Sequence, residues 1–309
     1  MVTGGAGFIG SSIARALVER GESVRILDNF SSGRRENLEG IADRVEVIEG
    51  DILDPPALSR AMEGIELVFH QAAIPSVPRS VRAPLASHDA NATGTLRVLE
   101  QARAAGARRV VYAGSSSAYG DTAVLPKVES MTPTPLSPYA VGKLTGEYYC
   151  GVYARVFGLE TVVLRYFNVF GPRQDPASQY AAVIPRFITA ALANLPPVIF
   201  GDGTQSRDFC FIDNVVQANL LAGTAPGASG HVFNIACGSA IDLNGVLGLL
   251  GALTGRTLTA QHEPARAGDV KHSLADISQA RAVIGYEPLV LFPEGLRRTF
   301  EWFKERPAC

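Results

Sequence analysis

The first half of the chain repeats one pattern, a short apolar run rich in Val and Ile followed by a longer stretch whose apolar positions recur at helical spacing. The runs "SVRILD" (23–28), "RVEVIEG" (44–50), "ELVFHQA" (66–72), "RRVVYAGSS" (108–116) and "ETVVLRYFN" (160–168) read as strands. The stretches "GSSIARALVERG", "NATGTLRVLEQARAAG" and "YAVGKLTGEYYCGVYARVFG" read as the helices between or before them. Such alternation predicts an α/β fold, a doubly wound parallel sheet covered by helices on both faces. After Asn168 the rhythm changes: Pro and Gly become dense in "GPRQDPASQ", "NLPPVIFGDG" and "GTAPGASG", and the elements shorten. The expected division is a first domain over residues 1–168 and a smaller C-terminal lobe over 169–309. A segment near 212–240, containing "HVFNIA", is expected to return to the sheet.

Composition narrows the partners. With 309 residues, 47% of them hydrophobic, the chain can bury a sizeable core in one large domain or two unequal lobes. The net charge of −2 provides no basic field for nucleic acid or an anionic membrane, so a phosphate-bearing partner must be held by local groups. Cys150, Cys210, Cys237 and Cys309 are scattered without a C-x-x-C, which argues against a zinc site or a disulfide framework and suits reduced, cytoplasmic thiols. No apolar run reaches membrane-spanning length, and the sequence enters a glycine turn at once where a signal peptide would show a basic and then an apolar region. A soluble cytoplasmic protein acting on a small molecule is expected.

That turn, "MVTGGAGFIGSSIARAL", contains G-x-G-x-x-G at Gly5, Gly7 and Gly10 inside a wider repeat starting at Gly4. Glycines there let the backbone approach a pyrophosphate, whose charge then sits at the positive end of the following helix. The next strand ends in Asp28, at the spacing of a carboxylate that accepts hydrogen bonds from a ribose diol, which favours NAD. Arg34 and Arg35 follow closely enough to leave NADP open, or to be a solvated pair. Asp51, after "VIEG", suits an adenine contact or ordinary turn chemistry. Only Met1, Val2 and Thr3 precede the turn, fewer than the roughly five residues of a usual strand, so this strand either begins upstream or is unusually short.

In "SPYAVGK" (137–143), Ser137 can cap a helix whose first residue is Pro138, where a missing N–H costs nothing. Tyr139 and Lys143 then share one helix face. Arginine outnumbers lysine 24 to 4 in this chain, so a lysine at that spacing carries information. A tyrosine ionises near pH 10, and serving as a base at neutral pH requires positive charge nearby, from Lys143 and an oxidised nicotinamide. The "SSS" of "VVYAGSSSAYG" falls at the carboxyl end of a strand, where open α/β sheets place ligands. Ser115, Ser116 and Ser117 serve equally as hydroxyl donors to a substrate or as a capped turn.

The strings "TGGAGFIG", "DNFSSG", "GDI", "HQAA", "SSSAYG", "SPYAVGK", "RYFNVFGPRQ", "GDGTQSRDF" and "RAGDVKHS" together resemble the extended short-chain dehydrogenase/reductase superfamily almost end to end, and within it the nucleotide-sugar 4-epimerases. The resemblance implies a Rossmann domain that holds NAD through Gly4, Gly7, Phe8, Ile9, Gly10, Asp28, Asn29, Asp51, Ile52, Ala72, Asn91, Tyr139, Lys143 and Phe167. It implies Ser115, Tyr139 and Lys143 as catalytic residues. Ser116, Ser117, Asn168, Arg207, Arg266, Asp269 and Ser273 would contact a UDP-sugar, whose C4 is inverted through a 4-keto intermediate. Related dehydratases and decarboxylases carry a carboxylate where this chain has Ser116 and Ser117, so the second proton transfer they need lacks its partner. Ser273 aligns with a position that is bulky in epimerases restricted to plain hexoses and small in those accepting N-acetylated ones; it also suits a helix cap. The alternatives are a nucleotide-sugar dehydratase, an NAD(P)-dependent dehydrogenase or reductase, and a non-catalytic NAD sensor. The likeness further implies a homodimer through helices around 91–105 and 139–157, and no metal.

Overall fold

The computed structural model, which describes residues 1–176, 183–265 and 270–306, turns each apolar run into a strand: β1 (Val2–Thr3), β2 (Val24–Asp28), β3 (Val45–Glu49), β4 (Leu67–His70), β5 (Arg109–Ser115), β6 (Glu160–Tyr166) and β7 (Val232–Ile235). They form one parallel sheet in the order β3-β2-β1-β4-β5-β6-β7. β7 comes from the second half of the chain and pairs with β6 in register Val232 to Val163. Parallel neighbours need long crossovers, and the intervening helices supply them: α1 (Phe8–Glu19), α2 (Pro55–Met62), α3 (Gly94–Ala104), α4 (Pro138–Val156) and α5 (Ile212–Thr224).

Side-chain alternation divides the interior into two cores. On β5, Val111 and Ala113 pack with Ile13 and Val18 of α1 and Val215 and Ala218 of α5. The intervening Val110 and Tyr112 face the other way, against Leu58 of α2, Leu99 of α3 and Cys150 of α4. This two-sided burial explains why the strands read as continuous apolar runs. The later helices, Val183–Leu192, Leu243–Thr254 and Phe292–Glu305, share the first core through Phe170, Phe209, Phe211 and Phe292. Phe209 and Phe292 stack there with ring centroids 5.1 Å apart.

α4 approaches the sheet closely because Gly146 faces it: a Cβ there would lie 2.4 Å from the Tyr112 hydroxyl oxygen. The next residue, Glu147, takes both Nε (2.9 Å) and Nη2 (2.5 Å) of Arg165 on β6. The partners are 7% and 3% exposed, so this ion pair is buried. The Arg165 guanidinium also lies 4.6 Å from the centre of the Tyr119 ring. It therefore joins α4, β6 and the loop after β5. No helix among the described residues is long and apolar enough to cross a membrane.

Candidate active site

The residues that end β2, β4, β5 and β6 gather at the carboxyl edge of the sheet, the side on which the glycine turn also lies. Gly10 packs so tightly on this turn that a Cβ would sit 2.1 Å from the Gly4 carbonyl oxygen. Gly7 caps α1 without any side-chain cap, and Phe8 and Ile9 are half-buried in the first turn, so the positive helix end is left for an anion. Asp28 accepts N–H groups from Ala6 and Phe30, each at 2.8 Å. Burial raises its pKa against the pull of those two donors. Each oxygen keeps a lone pair for a sugar hydroxyl.

Asn29 donates to Asp51 at 2.6 Å, and Asp51 also accepts the Leu53 N–H, which fixes the loops after β2 and β3 side by side. Ile52 is in the core. Arg34 pairs with Asp175 at 2.7 Å; Arg35 pairs with Glu49 at 2.6 Å and stacks on Phe30. With both guanidiniums beside carboxylates, the donor set around Asp28 suits a ribose diol better than a 2′-phosphate, so the pocket fits NAD. The Asn91 amide is turned inward: it accepts the Ile74 N–H and donates to the Ile74 carbonyl and Ser87 Oγ, so it shapes the wall beside Ala72. Phe167 is fully buried against Tyr119, with ring centroids 6.1 Å apart, and its ring backs the site from within the core.

Ser137 caps α4 by accepting the Ala140 N–H, with Pro138 in the first turn. This start brings the Tyr139 hydroxyl near that of Ser115, whose Oγ meets Ser117 Oγ at 2.8 Å. Ser116 and Ser117 are half-buried beside them in a short helical turn. Burial raises the Tyr139 pKa above 10.0, and the bond to Ser115 is what opposes it. Lys143 lies deeper, donating from Nζ to the Ala113 carbonyl at 2.9 Å and sitting 4.9 Å from the centre of the Tyr112 ring. Its own burial lowers its pKa to about 8.

Beneath Lys143 is a polar chain through His70 of "HQAA" that no local sequence pattern connects. The Ala72 N–H donates to Thr3 Oγ1, which meets His70 Nδ1 at 2.7 Å; His70 Nε2 meets Thr95 Oγ1 at 3.0 Å, and Thr95 donates to the Asn91 carbonyl. Because the Thr95 proton is committed to Asn91, the network requires a neutral His70 protonated on Nε2 and accepting on Nδ1. Burial first, and the Lys143 ammonium second, push its pKa down to about 3.

This depressed value has a fixed sign. Below the ordinary 6.5, an unfolded chain takes up a proton that folded His70 refuses until about pH 3, so stability falls as pH falls through that window. Between pH 7 and pH 5 the expected contribution is a loss of about 2 kcal/mol. Urea unfolding at the two pH values reads it, and His70→Gln should flatten the dependence; equal slopes for the two proteins would exclude His70 as the source.

Two of the residues expected to contact a substrate, Arg207 and Ser273, fall on a small three-stranded sheet in which Ser206–Arg207 lies between Ile241–Asp242 and His272–Ser273. Ser273 is in direct register with Arg207, and the Asp208 N–H donates to the Ser273 carbonyl. Arg207 Nη1 donates to the carbonyls of Ser206 and Lys271. Asn168 has a positive φ of 36°, a conformation asparagine tolerates, and donates to the Asp208 carbonyl. Asp208, also not singled out from the sequence, is fully buried and accepts N–H groups from Cys237, Gly238 and Ala275. Burial pushes its pKa up to about 6 against these donors. Arg266 and Asp269 lie outside the described residues.

Comparison with known proteins agrees with this architecture. Residues 1–236 match the NAD dependent epimerase/dehydratase family. A UDP-glucose 4-epimerase of Mycolicibacterium smegmatis is 39% identical over 99% of this chain and 98% of that protein. Among solved structures, the UDP-N-acetylglucosamine 4-epimerase of Methanobrevibacter ruminantium in complex with UDP-N-acetylmuramic acid aligns with a TM-score of 0.94 at 39% identity, covering 99% of this chain and 97% of its own. The UDP-glucose 4-epimerase of Thermus thermophilus in complex with NAD aligns with a TM-score of 0.90 at 34% identity, covering 99% and 98%.

Proposed function

From its membership of the NAD dependent epimerase/dehydratase family, to which the chain belongs, we propose that this protein inverts C4 of a UDP-hexose through a 4-keto sugar. The observation that carries the reading is the Tyr139–Ser115 hydroxyl pair at the carboxyl edge of the sheet, with the Lys143 ammonium buried behind it. NAD, when bound, supplies reversible acceptance of the C4 hydride and a positive charge beside the phenol.

Tyr139 takes the proton of the sugar 4-hydroxyl and returns one when the ketone is reduced. Ser115 holds that oxygen, and Ser117 Oγ lies 2.8 Å from the Ser115 hydroxyl. Lys143, with one donor on Ala113, keeps two for the ribose. Gly4, Gly7, Gly10, Phe8 and Ile9 receive the pyrophosphate, and Asp28, Asn29 and Asp51 the adenosine. Arg207 and Arg266 grip the nucleotide diphosphate, with Asn168 and Asp269, so that the hexose alone turns over between the two hydride transfers. Ser116 and Ser117 supply no acid for elimination, which favours epimerisation over the dehydratase alternative.

The preferred substrates are UDP-N-acetylglucosamine and its galacto epimer, with UDP-glucose and UDP-galactose also accepted. Small Ser273, opposite Arg207, leaves volume for an acetamido group that a tyrosine ring would exclude. Incubating purified protein with each UDP-sugar and no added cofactor tests this by NMR of the products. Both galacto isomers should form, and Ser273→Tyr should slow the acetylated reaction about tenfold or more while sparing UDP-glucose. A requirement for exogenous NAD, or a dehydrated product, would reject the epimerase reading.

The homodimer is assigned to the outer face of α4, where Val141, Tyr148, Val152 and Val156 are exposed in a stripe beside Val81 and Leu85. Sedimentation velocity should give a dimer that Val152→Arg dissociates.

A further inference from the structure

Arg207 is half-buried on its short strand, and the next residue, Asp208, faces the interior and is fully buried. A carboxylate there is costly unless hydrogen bonds replace its water. Three do: Oδ1 accepts the Cys237 N–H at 2.9 Å, and Oδ2 accepts those of Gly238 at 3.0 Å and Ala275 at 3.3 Å. The donors come from two segments that belong to different sheets, since Cys237 and Gly238 follow β7 and Ala275 follows His272–Ser273. Both backbone groups of Asp208 are engaged as well. Its N–H donates to the Ser273 carbonyl at 2.8 Å, and its carbonyl accepts the Asn168 side-chain amide at 3.1 Å. One residue is thus bonded to Asn168, to the strand of Ser273 and to the loop after β7, with Arg207 as its chain neighbour.

We propose that Asp208 is a positioning residue for nucleotide binding, its carboxylate setting the place from which Arg207 meets the diphosphate of a UDP-sugar. Being fully buried, the side chain acts through its neighbours and not on the substrate. The proposal rests on the reading of Arg207 as a diphosphate ligand. In Asp208→Asn one oxygen becomes an NH2 group, which meets an N–H donor where an acceptor stood. Whichever way the amide turns, Cys237 on one side or Gly238 and Ala275 on the other lose their acceptor. The peptide that carries Arg207 then loses its fixed place relative to Ser273 and Asn168.

The test is titration calorimetry of the NAD-loaded full-length protein with UDP at pH 8, where a carboxyl whose pKa is raised to about 6 is ionised. Asp208→Asn should raise the UDP dissociation constant about tenfold, the size expected for one lost hydrogen bond to a charged group. In steady-state kinetics KM should rise with it and kcat change little, because the grip on the nucleotide is the same in the ground and transition states. A loss of stability alone would lower the number of competent sites and leave their affinity unchanged. Arg207→Ala should weaken UDP at least as strongly, and adding Asp208→Asn to it should cost little more. Unchanged UDP affinity in Asp208→Asn, or two losses that multiply in the double variant, would overturn the proposal and leave the reading of Arg207 in place. Normal UDP binding by Arg207→Ala would overturn that reading and the proposal with it. If Asp208→Asn does not fold, hydrogen exchange decides: at saturating UDP the Cys237, Gly238 and Ala275 amides should exchange more slowly in the wild type and not in Arg207→Ala. Exchange indifferent to UDP, or slowed equally in both proteins, rejects the positioning role.

Discussion

Tyr139→Phe lowers turnover by about 10³-fold, within the range expected for loss of a general base, while the cofactor remains bound. The substitution removes one oxygen and keeps the ring, so the packing of α4 on the sheet is preserved. Ser115 keeps its contact with Ser117, so the turn after β5 has no reason to move. Ser117, on the other side of Ser115, is too weak a base to take the proton, and the Lys143 ammonium has no lone pair to accept it. The effect should therefore fall on kcat, with KM little changed. Steady-state kinetics, run beside quantification of NAD released on denaturation, checks both halves. A variant with near-normal turnover would remove Tyr139 from the mechanism.

The second large effect is on stability. Glu147→Gln should cost about 3–5 kcal/mol, because it leaves the Arg165 charge buried without its counter-ion. Arg165 Nη1 already lacks a hydrogen-bond partner, so the guanidinium has little reserve to absorb the loss. In a protein of this size the melting temperature should fall on the order of 10 °C. The pair differs from the single change: Glu147→Met with Arg165→Met removes both charges together, and such replacements are often neutral or stabilising. The double variant should thus be more stable than Glu147→Gln alone. If the two single losses simply add in a double-mutant cycle, the groups do not interact as the geometry requires. Because Arg165 also lies against Tyr119, activity in Glu147→Gln should fall with the register between Ser115 and Tyr139 even below the melting transition.

Much of this was legible in the sequence. The alternation of apolar runs with helical stretches gave the parallel sheet because both its faces are buried, and the glycine turn, Asp28 and the capped "SPYAVGK" start lie where local rules put them. What remained hidden depends on contacts across long sequence separations. Lys143 is on the same helix face as Tyr139, and its ammonium reaches the Ala113 carbonyl, thirty positions back, a contact that spacing along the helix does not reveal. His70 stands inside a quoted motif, yet its role follows from Thr3 and Thr95, which no local pattern connects to it. The Asn91 amide ties down Ile74, a contact across seventeen positions that no local pattern marks. Asp208 beside Arg207 had no periodic signal, since its partners are three backbone N–H groups from two distant segments.

The electrostatic core of the account is that Tyr139 stays protonated in the chain alone and ionises readily only beside the positively charged cofactor. Titrating the NAD-loaded protein by tyrosinate absorbance, with Tyr139→Phe as the reference, measures this directly. The account predicts one extra ionisation in the wild type, clearly below the ordinary tyrosine value of about 10 and absent from the variant. Superimposable titrations of the two loaded proteins up to that pH would contradict it.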